Sequence, residues 1–253
     1  MQTKLNNKKQ ESIFSRSYWV DAANQLKDVR MICIAALIIA LRIAVKFFKI
    51  QIAPGLNISL DGYINSLGSL IYGPVVGLVV GGISDILGCL VTGQMGQYFP
   101  PFALVEMASS FIFGLFFWRR NVSFRRTLSA KFSVNLVCNI IMTSVFNKWM
   151  YYVHYGVEKA EAYNIINGAR IVKNLILFPF EATLIITIFS LAVPILTRFK
   201  LVDRRLCSLV EGKPSTSKML LDIGICMVLS VLLILFYLGF LKDFVDGLQI
   251  KLW

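Results

Sequence analysis

Apolar residues along this chain gather into runs near 30 to 48, 62 to 91, 101 to 118, 132 to 152, 170 to 197 and 219 to 241, separated by short polar and basic stretches. A helix needs about 20 mostly apolar residues to cross a bilayer, and these runs reach or approach that length. The second run exceeds one crossing and is interrupted by Tyr72, Gly73 and Pro74. Proline lacks a backbone donor and disfavours helical geometry in the residue before it, so this run reads as two shorter helices and the chain as seven spans. The pattern predicts an all-α integral membrane protein. Its parts are an N-terminal segment over 1–28, a six-helix bundle over 29–197, a basic linker over 198–218, and an additional C-terminal seventh transmembrane helix with a short tail over 219–253.

One span breaks the apolar pattern in an ordered way. Arg170 and Lys173 open the run ARIVKNLILFPFEATLIITIF, and Asn174 and Glu181 fall about 40° and 20° from Arg170 on the same helical face. Cations at a helix end can be merely interfacial. A charge facing lipid costs several kcal/mol, however, so a polar seam of this length is expected to point into the bundle or a watery cavity.

Composition agrees: 57% of residues are hydrophobic and the mean hydropathy is +0.68. The net charge of +12 does not point to nucleic acid, because the basic residues flank apolar spans instead of lining a groove with aromatics. They report orientation. Lys4, Lys8, Lys9, Arg16, Lys27 and Arg30 precede the first span; Arg119, Arg120, Arg125, Arg126 and Lys131 follow the fourth; Arg198, Lys200, Arg204, Arg205, Lys213 and Lys218 follow the sixth. With seven spans all three groups fall on the cytoplasmic side, as does the N-terminus, whereas six would split them. The first thirty residues lack the apolar core and cleavage site of a secretory signal. Cys33, Cys89, Cys138, Cys207 and Cys226 are scattered without CxxC spacing and read as isolated thiols.

The same topology puts loops near 49 to 61, 92 to 100 and 153 to 169 over one mouth of the bundle. Pro54, Gly55 and Asn57, the run GQMGQYFPP, and His154, Tyr155, Gly156 and Tyr163 suit a lid, and equally suit ordinary connections. In the first span Ala36, Ala40 and Ala44 form a stripe of small residues that would let another helix approach closely, inside the bundle or from a partner. Arg42 lies about 200° from Ala40, with Lys46 and Lys49 following on its side. That side is expected to face the outer cavity, leaving the alanines for lipid or a partner subunit.

Enzyme signatures are missing. There is no GxxxxGK[ST] phosphate loop, so the chain does not look like an ATPase, and a single histidine, His154, excludes HExxH-type zinc chemistry. The GISD run lacks the second glycine of a nucleophile elbow. Asp85 and Glu106 could form a proton or cation relay, or pair with a lysine or backbone groups.

From Val29 to Thr197 the chain resembles the substrate-binding S component of an energy-coupling factor (ECF) vitamin transporter, through AALIIALRIA, YGPVVGLVVGGISDILG, GQYFPPF and FGLFF. The resemblance is to the folate type through Asn147, Trp149, Tyr155 and Gly156, followed by RIVKNLILFPFE from Arg170 to Glu181. It implies a multi-pass protein of the bacterial plasma membrane that captures folate at the outer face. It also implies docking, by the small-residue face of the first helix, on a transmembrane T subunit driven by two ATPases. ATP is then used by partner subunits, and no cofactor or metal belongs to this chain. Folate carries a flat pterin and a glutamate tail with two carboxylates. Arg42, Arg170 and Lys173 suit the carboxylates, Tyr98, Phe99 and Trp149 can sandwich the ring, and Asn147 and Asn174 can read its polar edge. The basic linker and seventh helix, the longer N-terminal segment and Lys148 in NKW depart from the family pattern. An S component for another vitamin, a stand-alone secondary transporter using Asp85 and Glu106, and a membrane enzyme remain the alternatives.

Overall fold

The computed structural model describes residues 13–53, 56–93, 98–158 and 168–202, together with Val228 and Leu232. Helix α1 (Arg16–Asn24) precedes the apolar runs and is one the hydrophobic pattern did not announce. It turns through Gln25–Lys27 into α2 (Val29–Lys46), where the Asp28 side chain accepts from the Arg30 backbone N–H at 2.9 Å and caps the helix. The loop expected near 49 to 61 folds as an antiparallel hairpin, β1 (Lys49–Ala53) with β2 (Leu56–Ser59), and Ile50 lies opposite Ile58. This short hairpin joins helices and leaves the architecture helical. Then follow α3 (Asp61–Val91), α4 (Pro101–Phe117), α5 (Phe124–Tyr155) and α6 (Gly168–Arg198).

Helices α3, α5 and α6 are long and apolar enough to cross a membrane, and α4 is a shorter apolar helix. The expected break in the second run is present. Gly73 has φ 84° and ψ −176°, a geometry open to glycine and closed to most other residues, so α3 consists of two helical segments. Glycine is also required there by space, because a Cβ at Gly73 would lie 2.7 Å from the Trp118 ring. The second segment of α3 then runs beside α4 at very short range: a Cβ at Gly114 would lie 2.5 Å from Pro74, and one at Gly81 would lie 2.7 Å from the Glu106 carbonyl oxygen. In lipid, where hydrophobic drive between helices is missing, such close backbone approach supplies the packing.

Helix α5 starts earlier than the apolar pattern indicated. Ser123 accepts from the Arg126 backbone N–H, and the helix takes in Arg125, Arg126 and Lys131, residues expected in a loop. Its middle, Asn135–Met142, has π geometry, and the Thr143 hydroxyl donates to the Cys138 carbonyl five residues back at 2.7 Å. Such wide turns inside α-helices are frequent at functional sites.

At the end of the bundle away from the hairpin, α1 packs under the Gly73 break. Tyr18 meets Trp118 edge-on at 5.0 Å, and Asp21 pairs with Arg119 at 2.7 Å. Phe113, Phe117 and Phe189 fill the core between α4 and α6. The seventh span falls outside the described residues except for Val228 and Leu232, both helical and exposed.

Candidate functional site

Polar side chains enter this bundle in two groups. The first surrounds Arg42, which α2 carries into the interior with no exposed surface. Its Nε donates to Asp61 Oδ1 at 2.7 Å and its Nη2 to Asp61 Oδ2 at 2.8 Å, a bidentate pairing set by the planar guanidinium. Nη2 also donates to Glu106 Oε2 at 2.7 Å, and Nη1 reaches Asn65 Oδ1 at 3.4 Å. Asn65 accepts in turn from the Ser110 hydroxyl at 2.7 Å. Lys46 lies 3.6 Å from Asp85 and donates to the Ser84 carbonyl. Arg42 does point inward, as its helical face suggested, but its donors are committed to protein carboxylates instead of an open cavity. A charge withdrawn from water needs such partners. Asp85 and Glu106 are paired with cations, the structural alternative to a relay.

The second group is the seam on α6, which meets a matching seam on α5. Arg170 donates through Nη1 to Ser144 Oγ at 3.2 Å. Asn174 donates to the Arg170 carbonyl at 2.9 Å and accepts from Asn139 at 3.2 Å, and Asn139 also donates to Asn135 Oδ1 at 3.0 Å. Deeper still, Glu181 pairs with Lys131 at 2.9 Å, so it holds a neighbouring helix. Lys173 is half-buried one turn from Arg170. The α5 partners were overlooked in the sequence although their signal was present: Lys131, Asn135 and Asn139 recur at i, i+4, i+8, the spacing that marks one helical face. Asp61 and Asn65 show the same spacing at the start of α3.

Aromatic residues gather between the loop before α4 and the last turns of α5. Phe99, buried, lies edge-on to the half-exposed Trp149 at 5.5 Å, to Phe102 at 5.7 Å and to His154 at 6.0 Å. The sequence-predicted pair Phe99 and Trp149 is thus in contact. Tyr98 is half-buried, and burial, with smaller contributions from Asp85 and Cys89, raises its hydroxyl above the ordinary tyrosine range, so it remains a donor at neutral pH. Asn147 is partly exposed on α5. Ala36, Ala40 and Ala44 are all exposed on the outside of α2. Tyr163 and most of GQMG lie outside the described residues.

Three comparisons bear on this arrangement. The family model described as "ECF transporter, substrate-specific component" matches residues 30–207. The folate transporter FolT of Clostridium novyi (strain NT) is 29% identical over 63% of this chain and 88% of its own length. The folate transporter FolT of Leuconostoc mesenteroides subsp. mesenteroides is 25% identical over 61% of this chain and 81% of its own. Among solved structures, the crystal structure of FolT bound with folic acid is similar with a TM-score of 0.50 and 27% identity, covering 61% of this chain and 88% of that one.

Proposed function

Since the chain belongs to the substrate-specific components of ECF transporters, we propose that it captures folate at its hairpin end and releases it into the cell through an ATP-driven complex. The observation that carries the ligand assignment is the likeness to folate-bound FolT, which extends over 88% of that chain at 27% identity. The side chains present suit such a ligand. Arg170 and Lys173 supply cations for the two carboxylates of the glutamate tail. Phe99 and Trp149, with Tyr98 beside them, supply the flat surface a pterin needs. The Asn147 side chain has no hydrogen-bond partner among the described residues and is suited to the polar edge of the ring. Asn174, tied to Asn139 and to the Arg170 carbonyl, fixes the seam on which Arg170 stands. Arg42, enclosed by Asp61, Glu106 and Asn65, serves as a positioning residue that joins α2, α3 and α4 below the ligand.

The exposed stripe Ala36, Ala40 and Ala44 is the surface proposed to dock on a T subunit, itself driven by two ATPases that consume the ATP. The basic residues near α1 and the turns at that end support a cytoplasmic orientation for it in a bacterial plasma membrane, by the bias of Lys and Arg to the inner side. The ion pairing of Asp85 and Glu106 weighs against a secondary transporter built on those two carboxylates.

Mass spectrometry of small molecules co-purifying with the full chain, followed by calorimetric titration with folate, tests this reading. Folate or a reduced folate bound one to one is the expected result. A folded chain that binds a different vitamin, and no folate, would overturn the ligand assignment.

A further inference from the structure

Resting on the folate reading above, we infer that Glu106 is the specificity-determining acceptor for the ring end of the ligand, receiving the N–H donors of its 2-amino-4-oxopyrimidine edge. The first observation is exposure within the Arg42 group. The Arg42 side chain is 0% exposed and that of Asp61 8%, whereas that of Glu106 is 32% exposed, so Glu106 is the one carboxylate on Arg42 that is not enclosed. The second is bonding capacity. Both Asp61 oxygens accept from Arg42, but Glu106 gives up only Oε2, and no described residue donates to its Oε1. A carboxylate has about four acceptor positions, so most of those on Glu106 have no donor among the described residues.

The third observation is the balance of partners. One guanidinium is shared by two carboxylates, and Lys46 lies beside Asp85, so the group holds more acceptors than donors among the described residues. Inside a helical bundle such a surplus of acceptors favours a partner that brings donors. Arg42 fixes the carboxylate in place, which removes the side-chain entropy a ligand would otherwise have to cover.

Position supplies the link to the ring. Glu106 follows Phe102 by four residues on α4, which puts it on the same face about 6 Å deeper. Phe102 packs against Phe99, the residue in contact with Trp149. A flat heterocycle seated on this aromatic group therefore has a carboxylate one turn below its rim. Adjacent ring N–H and amino donors are matched by a carboxylate, and the cations Arg170 and Lys173 are suited to the opposite, anionic end of the same ligand. The site is then polar in a fixed sense, acceptor at the ring and donors at the tail, and a molecule with a carbonyl or a methyl in place of the 2-amino group should be refused.

The test uses the full-length chain in detergent and two probes, folic acid and 2-desamino-2-methylfolic acid, which keeps the tail and ring shape but lacks the amino donor. The unmodified chain should bind folic acid at least about tenfold more tightly than the analogue, the lower end of the range for a hydrogen bond to a charged group. Glu106→Gln should lose that discrimination, weakening folic acid about tenfold or more while changing the analogue by less than about threefold. Equal affinity of the unmodified chain for both probes overturns the inference, and needs no variant to fold. An equal loss of both probes in Glu106→Gln also overturns it, because Glu106 would then act only by holding Arg42. If the unmodified chain binds the analogue and folic acid equally, the folate reading survives and only the role of Glu106 falls. If it binds neither, the folate reading itself fails.

Discussion

At the scale of single residues, an arginine enclosed by carboxylates that join helices and one proposed to meet the ligand differ in what their loss should do. Arg42 has two carboxylates within 2.8 Å and no exposed surface. Arg170 holds a serine hydroxyl at 3.2 Å, and Lys173 beside it adds a second positive charge to the same helix face. Replacing each arginine should therefore have opposite signatures. Arg170→Ala should weaken folate binding by about 1.5 to 3 kcal/mol, the range for hydrogen bonds to charged groups, and pteroate, which lacks the glutamate tail, should lose little. Titration of both ligands against the purified variant checks this, and equal losses would move Arg170 away from the tail. Arg42→Ala should instead cost about 3 to 5 kcal/mol of stability, because it leaves the buried Asp61 carboxylate, with Glu106 beside it, without its guanidinium partner, and thermal unfolding in detergent reads that directly.

Among the elements, α2 and α3 show most clearly how much was legible in the sequence. Pro74 after Gly73 announced the break in α3, because proline removes a backbone donor and restricts the residue before it, while glycine permits the positive φ that a break requires. The expected outcome of Gly73→Ala is a loss of about 1 to 3 kcal/mol from backbone strain and collision with Trp118, whereas Gly62→Ala, where a Cβ meets nothing within 4 Å, should stay within about 0.5 kcal/mol. Paired melting curves distinguish them. Helical-face arithmetic also read the seam on α6 and the outward turn of the alanine stripe, since side-chain direction in a helix follows from position alone. The partners of those faces were not legible. Which carboxylate would meet Arg42 depends on Asp61 and Glu106 coming together from sequence separations of 19 and 64, and that is a property of packing. Helix α1 escaped notice because its amphipathic pattern is short and its aromatics find Trp118 only in the fold. The exposed alanines give this scale its functional prediction: Ala40→Trp should leave folate binding intact and abolish uptake, and loss of both would place the stripe inside the bundle.

For the whole molecule, the family match ends at residue 207, so the C-terminal region beyond it is additional to the family pattern. The site residues named above all lie before that point. A chain truncated after Gly212 is therefore expected to keep its folate affinity within a factor of about three, below about 1 kcal/mol, and a folded, monodisperse truncation that no longer binds would give that region a share in the cavity. In the proposed function this chain binds folate itself and depends on partners for the energy of transport. Folate uptake into proteoliposomes containing the full chain, with and without a T subunit and two ECF ATPases, tests this. Uptake should need all of these together with ATP, while folate binding persists without them. Uptake by the chain alone, driven by a proton gradient, would contradict it.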